Sequence, residues 1–336
     1  MKDLPPHPFI FADPDLAAQM QATPASIDTL FQAYLGRPAK EGAQSALKER
    51  RASVADVERE LRGSEEYRRK ARLLRDHDRS QYDGAMLYIA PARAVFCPIA
   101  KVANTSVKDW ALRLVGDGRP EPGMSHYWLD SGQSRMQARH WAFAARDRVD
   151  HAPDWVSVAL LRDPVDRLVS CYCDKFGRNR MQDSVLHHTR PVYAFFARGG
   201  DPDREMIERG LSFRQLCFYI NATAREVQDS HWAAQWSYLQ NRRWDRLFAL
   251  EKIESFEYFM RDRLPEELRN IRLGLTNAAQ KARGRSSHNL SDALPGEWMG
   301  ARTPPYDAFL SDDIRGFIGD YYALDARLHA QALSES

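Results

Sequence analysis

A chain of 336 residues has room for one large domain of roughly 250 residues and something small beside it. With 43% hydrophobic and 28% charged residues it has the makeup of a soluble globular protein, and a formal charge of +2 argues against a nucleic-acid-binding or membrane-surface protein. Nine of the 48 basic residues are Lys and the rest Arg, the side chain that suits bidentate contact with phosphate or sulfate, although a GC-rich genome gives the same bias.

The N-terminal stretch, Met1 to Pro14, carries Pro5, Pro6 and Pro8 and no apolar run of the kind an export signal needs. Residues 24–76 read as a separate helical unit. Ser26 is placed to cap a helix with Ile27, Leu30, Phe31 and Leu35 on one face, closed by Gly36. A second helix is expected from Ala43 to about Arg51. Ser53 then precedes Val54, Val57 and Leu61, again at helical spacing. With Ala33-Tyr34-Leu35-Gly36-Arg37, Gly42 and Ser64-Glu65-Glu66-Tyr67, the stretch resembles a short helical module found in many bacterial proteins. Asp76 to Asp83 is polar and charged and reads as a linker.

From residue 85 to 332 the pattern alternates strand and helix. The longest apolar stretch, Met86 to Ala100, is broken by Pro91 and Arg93 and is too short to span a bilayer. Its end, Ala94 to Ile99, reads as a strand, and Thr105 to Val115 follows as a helix with Val107, Trp110, Ala111 and Leu114 on one side. Trp155 to Leu161 reads as a second, buried strand, followed by a helix with Asp163 as cap and Pro164 at its first position. Leu247 to Leu250 is a third strand, and Ser311 to Ala332 is a helix with Ile314, Phe317, Ile318 and Tyr321 on one face. Alternation of this kind implies an α/β domain, a doubly wound parallel sheet of nucleotide-binding type behind a small all-α module. The four cysteines, Cys97, Cys171, Cys173 and Cys217, fit neither a disulfide framework nor a zinc pattern, and are read as reduced thiols of a cytoplasmic protein.

Two segments carry chemistry. In the first, Phe96 to Ser106, a strand gives way to a tight loop with one Lys, and then to two hydroxyl residues opening a helix. Free N–H groups, the positive end of the helix dipole and the Lys101 charge together make an anion site. The glycines and G-K-[ST] ending of a nucleoside-triphosphate loop are absent, which disfavours a phosphotransferase. In the second, Leu160 to Ser170, Arg162 leaves the carboxyl end of a buried strand and Ser170 follows eight residues on, two turns into the next helix. An Arg and a hydroxyl there can clamp a phosphate.

Together the segments resemble the 5′-phosphosulfate loop and 3′-phosphate motif of sulfotransferases, in the spelling of the Golgi carbohydrate group that acts on chondroitin, dermatan and heparan sulfate. That group carries C-P-x-x-K-x-x-x-T-S and R-D-P-x-x-R-L-x-S, and this chain follows both nearly throughout, with Asn104 as one departure. The likeness extends to Asp229-x-His231-Trp232-x-x-Gln235 and Tyr322-x-x-Asp325-x-x-Leu328, over residues 88–332. The Golgi enzymes are membrane-anchored and disulfide-bonded, so a bacterial cytoplasmic relative is expected here.

The resemblance implies sulfuryl transfer from 3′-phosphoadenosine 5′-phosphosulfate (PAPS) to a hydroxyl of a carbohydrate or glycoconjugate, without metal. Lys101 would meet the leaving 5′-phosphate, with Pro98, Val102, Ala103, Asn104, Thr105 and Ser106 lining the loop, and Arg162 and Ser170 would hold the 3′-phosphate. For the base that accepts the hydroxyl proton, His126, His140 and His151 lie between the motifs. His140 stands 22 residues before Arg162, where the 2-O-sulfotransferases of this group place a catalytic His, and His231 is the second candidate. His187-His188 reads as a loop pair able to touch acceptor. A lipid or small-molecule hydroxyl as acceptor, or a non-catalytic nucleotide-binding regulator, are the competing readings.

Overall fold

The computed structural model describes residues 21–35, 38–66, 85–116, 125–130, 134, 136–137, 149, 152–197, 201–240, 244–274, 288–300 and 302–335. His140 and His151 lie outside the described residues, as does the side chain of His126. The chain divides into two compact units, Met1–Asp83 and Gly84–Ser336.

In the first unit the described helices are α1 (Pro24–Leu35), α2 (Glu41–Glu49) and α3 (Val54–Gly63). Ile27, Leu30 and Phe31, Leu47, and Val54, Val57 and Leu61 are buried together. The cap of α1 is Thr23 and not Ser26. Thr23 Oγ1 accepts from the Ser26 N–H at 3.2 Å, and Ser26 Oγ accepts from the Thr23 N–H at 2.8 Å. Serine thus fills the third helical position of a reciprocal cap. Ser53 caps α3, with Asp56 returning the bond.

In the second unit, β1 (Leu87–Ile89), β2 (Ala94–Cys97), β3 (Val156–Leu161) and β4 (Arg246–Ala249) form a sheet in that order. β2, β3 and β4 are parallel, while β1 pairs with β2 antiparallel, so the sheet is mixed where a wholly parallel one was expected. The described strands also follow one another in a single direction across the sheet, without the reversal of a doubly wound order. The cause of the antiparallel pair lies in the breaks already visible at Pro91 and Arg93. Ala90–Ala92 forms a single 3-10 turn and Arg93 takes the left-handed conformation at φ 46°, so the chain folds straight back on itself. Only an antiparallel partner can be reached by so short a link.

β3 is buried along almost its whole length, as a strand covered on both faces must be. Its one polar residue, Ser157, donates its hydroxyl to Asp245 at 2.8 Å and accepts from the Asp245 N–H at 3.0 Å, which fixes the start of β4 against it. Each parallel strand is followed by a helix: α4 (Asn104–Val115), α5 (Pro164–Tyr172) and, after β4, α8 (Ile253–Asp262), with α6 (Asp183–Phe196) and α7 (Phe213–Ala222) between. Val107, Trp110, Ala111 and Leu114 are the buried side of α4, and Gly116 ends it at φ 72°. Asp163 caps α5 by accepting from the Asp166 N–H at 2.9 Å. α5 then runs on into a π-helical turn, Cys173–Arg178.

The expected C-terminal helix is two helices, α9 (Asp312–Tyr321) and α10 (Ala323–Glu335). The break falls at Tyr322, whose side chain is buried and donates its hydroxyl to the Trp232 carbonyl at 2.6 Å. α10 packs on β4. Trp110, Trp232 and Trp298 are buried among other aromatic residues and serve as core. Among the described residues no helix is long and apolar enough to cross a membrane.

Candidate active site

β2 delivers Pro98 and Ile99 into a loop whose backbone is held in an uncommon shape. Lys101 and Ala103 both have positive φ, 67° and 48°, which for residues with a Cβ costs about 1–2 kcal/mol each. Val102 between them is not in that region. Alternation of this kind turns successive N–H groups toward one side and makes a concavity for an anion. The N–H groups of Val102, Ala103 and Asn104 have no hydrogen-bond partner among the described residues. The Asn104 side-chain oxygen is buried and likewise unpartnered. Unsatisfied polar groups clustered at the first turn of α4, where the dipole favours negative charge, suit a phosphate. Thr105 is half-buried and Ser106 fully buried at the same helix start.

Lys101 does not hang free in this loop. Its Nζ lies 2.9 Å from Asp174 Oδ2, and both side chains are mostly shielded. Asp174 is offered by the π-helical turn after α5 and also accepts from Asn179 Nδ2 at 2.6 Å. Burial works against the Asp174 charge, but the Lys101 cation, Lys175 and the Asn179 amide together outweigh it and hold the carboxyl below its usual range. An ammonium has three donors, so the pair orients Lys101 and leaves two N–H groups for a ligand.

Arg162 leaves the end of β3 with its backbone bracketed by one side chain. Gln235 Oε1 accepts from the Arg162 N–H at 3.0 Å and Gln235 Nε2 donates to the Arg162 carbonyl at 2.8 Å. Gln235 is in turn anchored by Asp325 of α10, which accepts the N–H groups of Gln235 and Trp236 at 2.7 and 2.9 Å. The separated stretches that spell Gln235 and Asp325 thus converge behind Arg162. The Arg162 guanidinium donates through Nη1 to the Lys101 carbonyl at 3.2 Å, which joins the two candidate anion-binding segments. Ser170 is half-buried in α5, and among the described residues no hydrogen bond joins its hydroxyl to Arg162 or to the loop.

His231 lies in the turn that precedes Gln235. Its Nδ1 is 2.7 Å from Asp229 Oδ1, and its N–H donates to the same oxygen at 2.9 Å. The other oxygen of Asp229 meets His188 Nδ1 of α6 at 2.7 Å. Burial pushes His231 down to about 4, against the opposing pull of Asp229, so the ring is neutral at pH 7. Burial of Asp229 is more than offset by hydrogen bonds from His188 and His231, which hold that carboxyl well below the usual range. A neutral ring that donates Nδ1–H to a carboxylate keeps the Nε2 lone pair available to take a proton. His188, Asp229 and His231 are also the group of described residues with the spacing of metal ligands. The two rings, however, address different oxygens of one carboxylate at hydrogen-bond distance, the arrangement of an acid orienting two imidazoles.

The structure therefore brings Lys101, the 102–104 backbone and Arg162 together, and places His231 on the segment that brackets Arg162. Sequence reasoning passed over Asp174, Arg167 and the contact of His188 with Asp229. For Asp229 the i, i+2 spacing to His231 was a usable signal, because a short acid two residues ahead bonds the following backbone. Asp174 gave none, since its meeting with Lys101 depends on a π-helical turn. All four cysteines are buried and none is in a disulfide, and burial pushes Cys171 and Cys173 up to about 12, which makes them unreactive.

Comparison with known proteins adds independent findings. The family described as "Sulfotransferase family" matches residues 89–328. Carbohydrate sulfotransferase 10 of Xenopus laevis is 28% identical over 134 residues, covering 38% of this chain and 36% of the relative, so the likeness spans little more than a third of that protein's length. No solved structure matches.

Proposed function

The chain belongs to the sulfotransferase family, and from that premise we propose that it moves a sulfuryl group from PAPS to a hydroxyl of a carbohydrate or glycoconjugate. One observation carries the reading: the Lys101 loop and Arg162, two anion-binding elements from two neighbouring strands, are joined by the 3.2 Å bond from Arg162 to the Lys101 carbonyl. A donor with phosphates at its 3′ and 5′ positions needs two such elements side by side. Arg162 uses one N–H on the protein and has the others for the 3′-phosphate, with Ser170. Lys101 and the N–H groups of 102–104 receive the 5′-phosphate, where charge grows as its bond to sulfur breaks. The name of the Xenopus laevis relative supports a carbohydrate acceptor. Four buried cysteines outside any disulfide fit a reducing, cytoplasmic setting.

The acceptor oxygen forms the new bond to sulfur and gives its proton to a histidine. His231 is favoured over His140, because Asp229 fixes its ring and steadies the imidazolium that forms. The residues require no metal for these steps. The test is incubation of the protein with labelled PAPS and polysaccharide, glycolipid and small-molecule fractions. Label in a polysaccharide or glycolipid is the expected result, and label only in a small molecule removes the carbohydrate part of the reading. With the acceptor in hand, His231→Ala is expected to lower turnover by about 10²–10⁴ while His140→Ala does not. The reverse result exchanges the two residues, and two active mutants point to a carboxylate base.

A further inference from the structure

Arg167 is 2% exposed, on the inner side of α5, five residues after Arg162. Each of its three nitrogens reaches a different backbone carbonyl. Nε donates to Ala100 at 2.9 Å, Nη1 to Ala233 at 2.7 Å and Nη2 to Ser230 at 3.0 Å. Among the described residues no carboxylate lies within ion-pair distance of it. A buried guanidinium is costly to desolvate, and an apolar side chain of similar volume would pack at lower cost. What it supplies that an apolar side chain cannot is a three-point tie between segments far apart in sequence.

The place of that tie gives it a role. Ala100 contributes the peptide plane on one side of the Lys101 Cα. The plane on the other side carries the Lys101 carbonyl, held by Arg162. Two arginines of one motif thus pin both planes that flank Lys101. Pinning both fixes its φ and ψ, here in the left-handed region that a residue with a side chain avoids when free. The other two carbonyls flank His231, so the same guanidinium also sets the separation between the donor loop and the candidate base.

We propose that Arg167 is a positioning residue: it holds the Lys101 loop in its anion-binding shape in advance of donor binding, and holds the 230–233 segment in register with it. The proposal rests on the PAPS reading above. A loop ordered beforehand binds more tightly, because the ordering cost is not met at the moment of binding.

The experiment is calorimetric titration of the full-length protein with adenosine 3′,5′-bisphosphate, alongside its melting temperature, for wild type, Arg167→Lys and Arg167→Gln. A lysine retains the charge and most of the stem but cannot span three carbonyls. Both variants are expected to bind the bisphosphate at least about tenfold more weakly while retaining native circular dichroism. A merely structural role would lower the melting temperature and leave the dissociation constant of the folded protein unchanged, and that result overturns the proposal. If the Arg167 variants do not fold, Ala100→Gly with Arg167 intact decides. Its carbonyl stays pinned, so affinity should change by less than about threefold, whereas a tenfold loss would mean that the loop takes its shape from its own sequence. Wild-type protein that fails to bind the bisphosphate would sink the donor reading itself, a result distinct from equal binding by wild type and variants.

Discussion

The two candidate anion-binding segments are built on opposite principles. The 162–170 segment is locally encoded: Arg162 ends a buried strand, Asp163 caps, Pro164 opens the helix, and each step follows from its neighbours. The 98–106 segment is held from a distance. Its two left-handed residues lack glycine, its cation is oriented by Asp174, and its carbonyls are pinned by Arg162 and Arg167. A helix start needs only a few residues to specify it. A strained loop persists only where surrounding structure over-determines it, and such places tend to be functional.

The largest effect is expected at the chemical centre of the distantly held loop. Lys101→Ala is expected to reduce turnover by about 10²–10³ with the circular dichroism spectrum unchanged, as for loss of one preorganised donor to a developing charge. Near-normal turnover would mean that the loop is not where the leaving phosphate sits. Next in size is Asp325→Ala, which strands the buried N–H groups of Gln235 and Trp236 and loosens the bracket on Arg162. A loss of roughly 2–4 kcal/mol in urea unfolding is expected, with weaker bisphosphate binding.

The Lys101–Asp174 pair gives the loop an acid-sensitive component. Asp174 is held below its usual range in the folded protein, so its contribution is present above the unfolded pKa near about 4 and is lost as pH falls through the folded value. The urea midpoints of wild type and Asp174→Asn should therefore separate at neutral pH and converge below about pH 4. A gap that does not depend on pH would contradict the pairing. The smallest effect belongs to the local segment. Asp163→Ala removes one cap and should cost about 1 kcal/mol in the same unfolding experiment, with turnover little changed.

What could be read from the sequence follows the same division. The Asp163-Pro164 start, β3 and the apolar side of α4 were legible because short-range periodicity and capping chemistry decide them. β1 was not, since Met86 to Ala100 read as one interrupted apolar run. Its antiparallel return depends on the left-handed Arg93. The break at Tyr322 was hidden because its cause, the Trp232 carbonyl, lies ninety residues away in the chain. In the site, Lys101 and Arg162 stood out by residue type and place, whereas Arg167 looked like one more helix arginine until its three carbonyls were seen.

Thermal stabilisation of the wild-type protein by adenosine 3′,5′-bisphosphate, compared with 5′-AMP at equal concentration, tests directly whether the donor site takes two phosphates. If both candidate segments bind anions as proposed, they should recognise two phosphates. The bisphosphate is therefore expected to raise the melting temperature clearly, by about 2.7 kcal/mol of added stability at a hundredfold excess over its dissociation constant. 5′-AMP should raise it much less. Equal shifts from the two nucleotides would remove the role given to Arg162 and Ser170, and no shift from either would contradict the donor site as a whole.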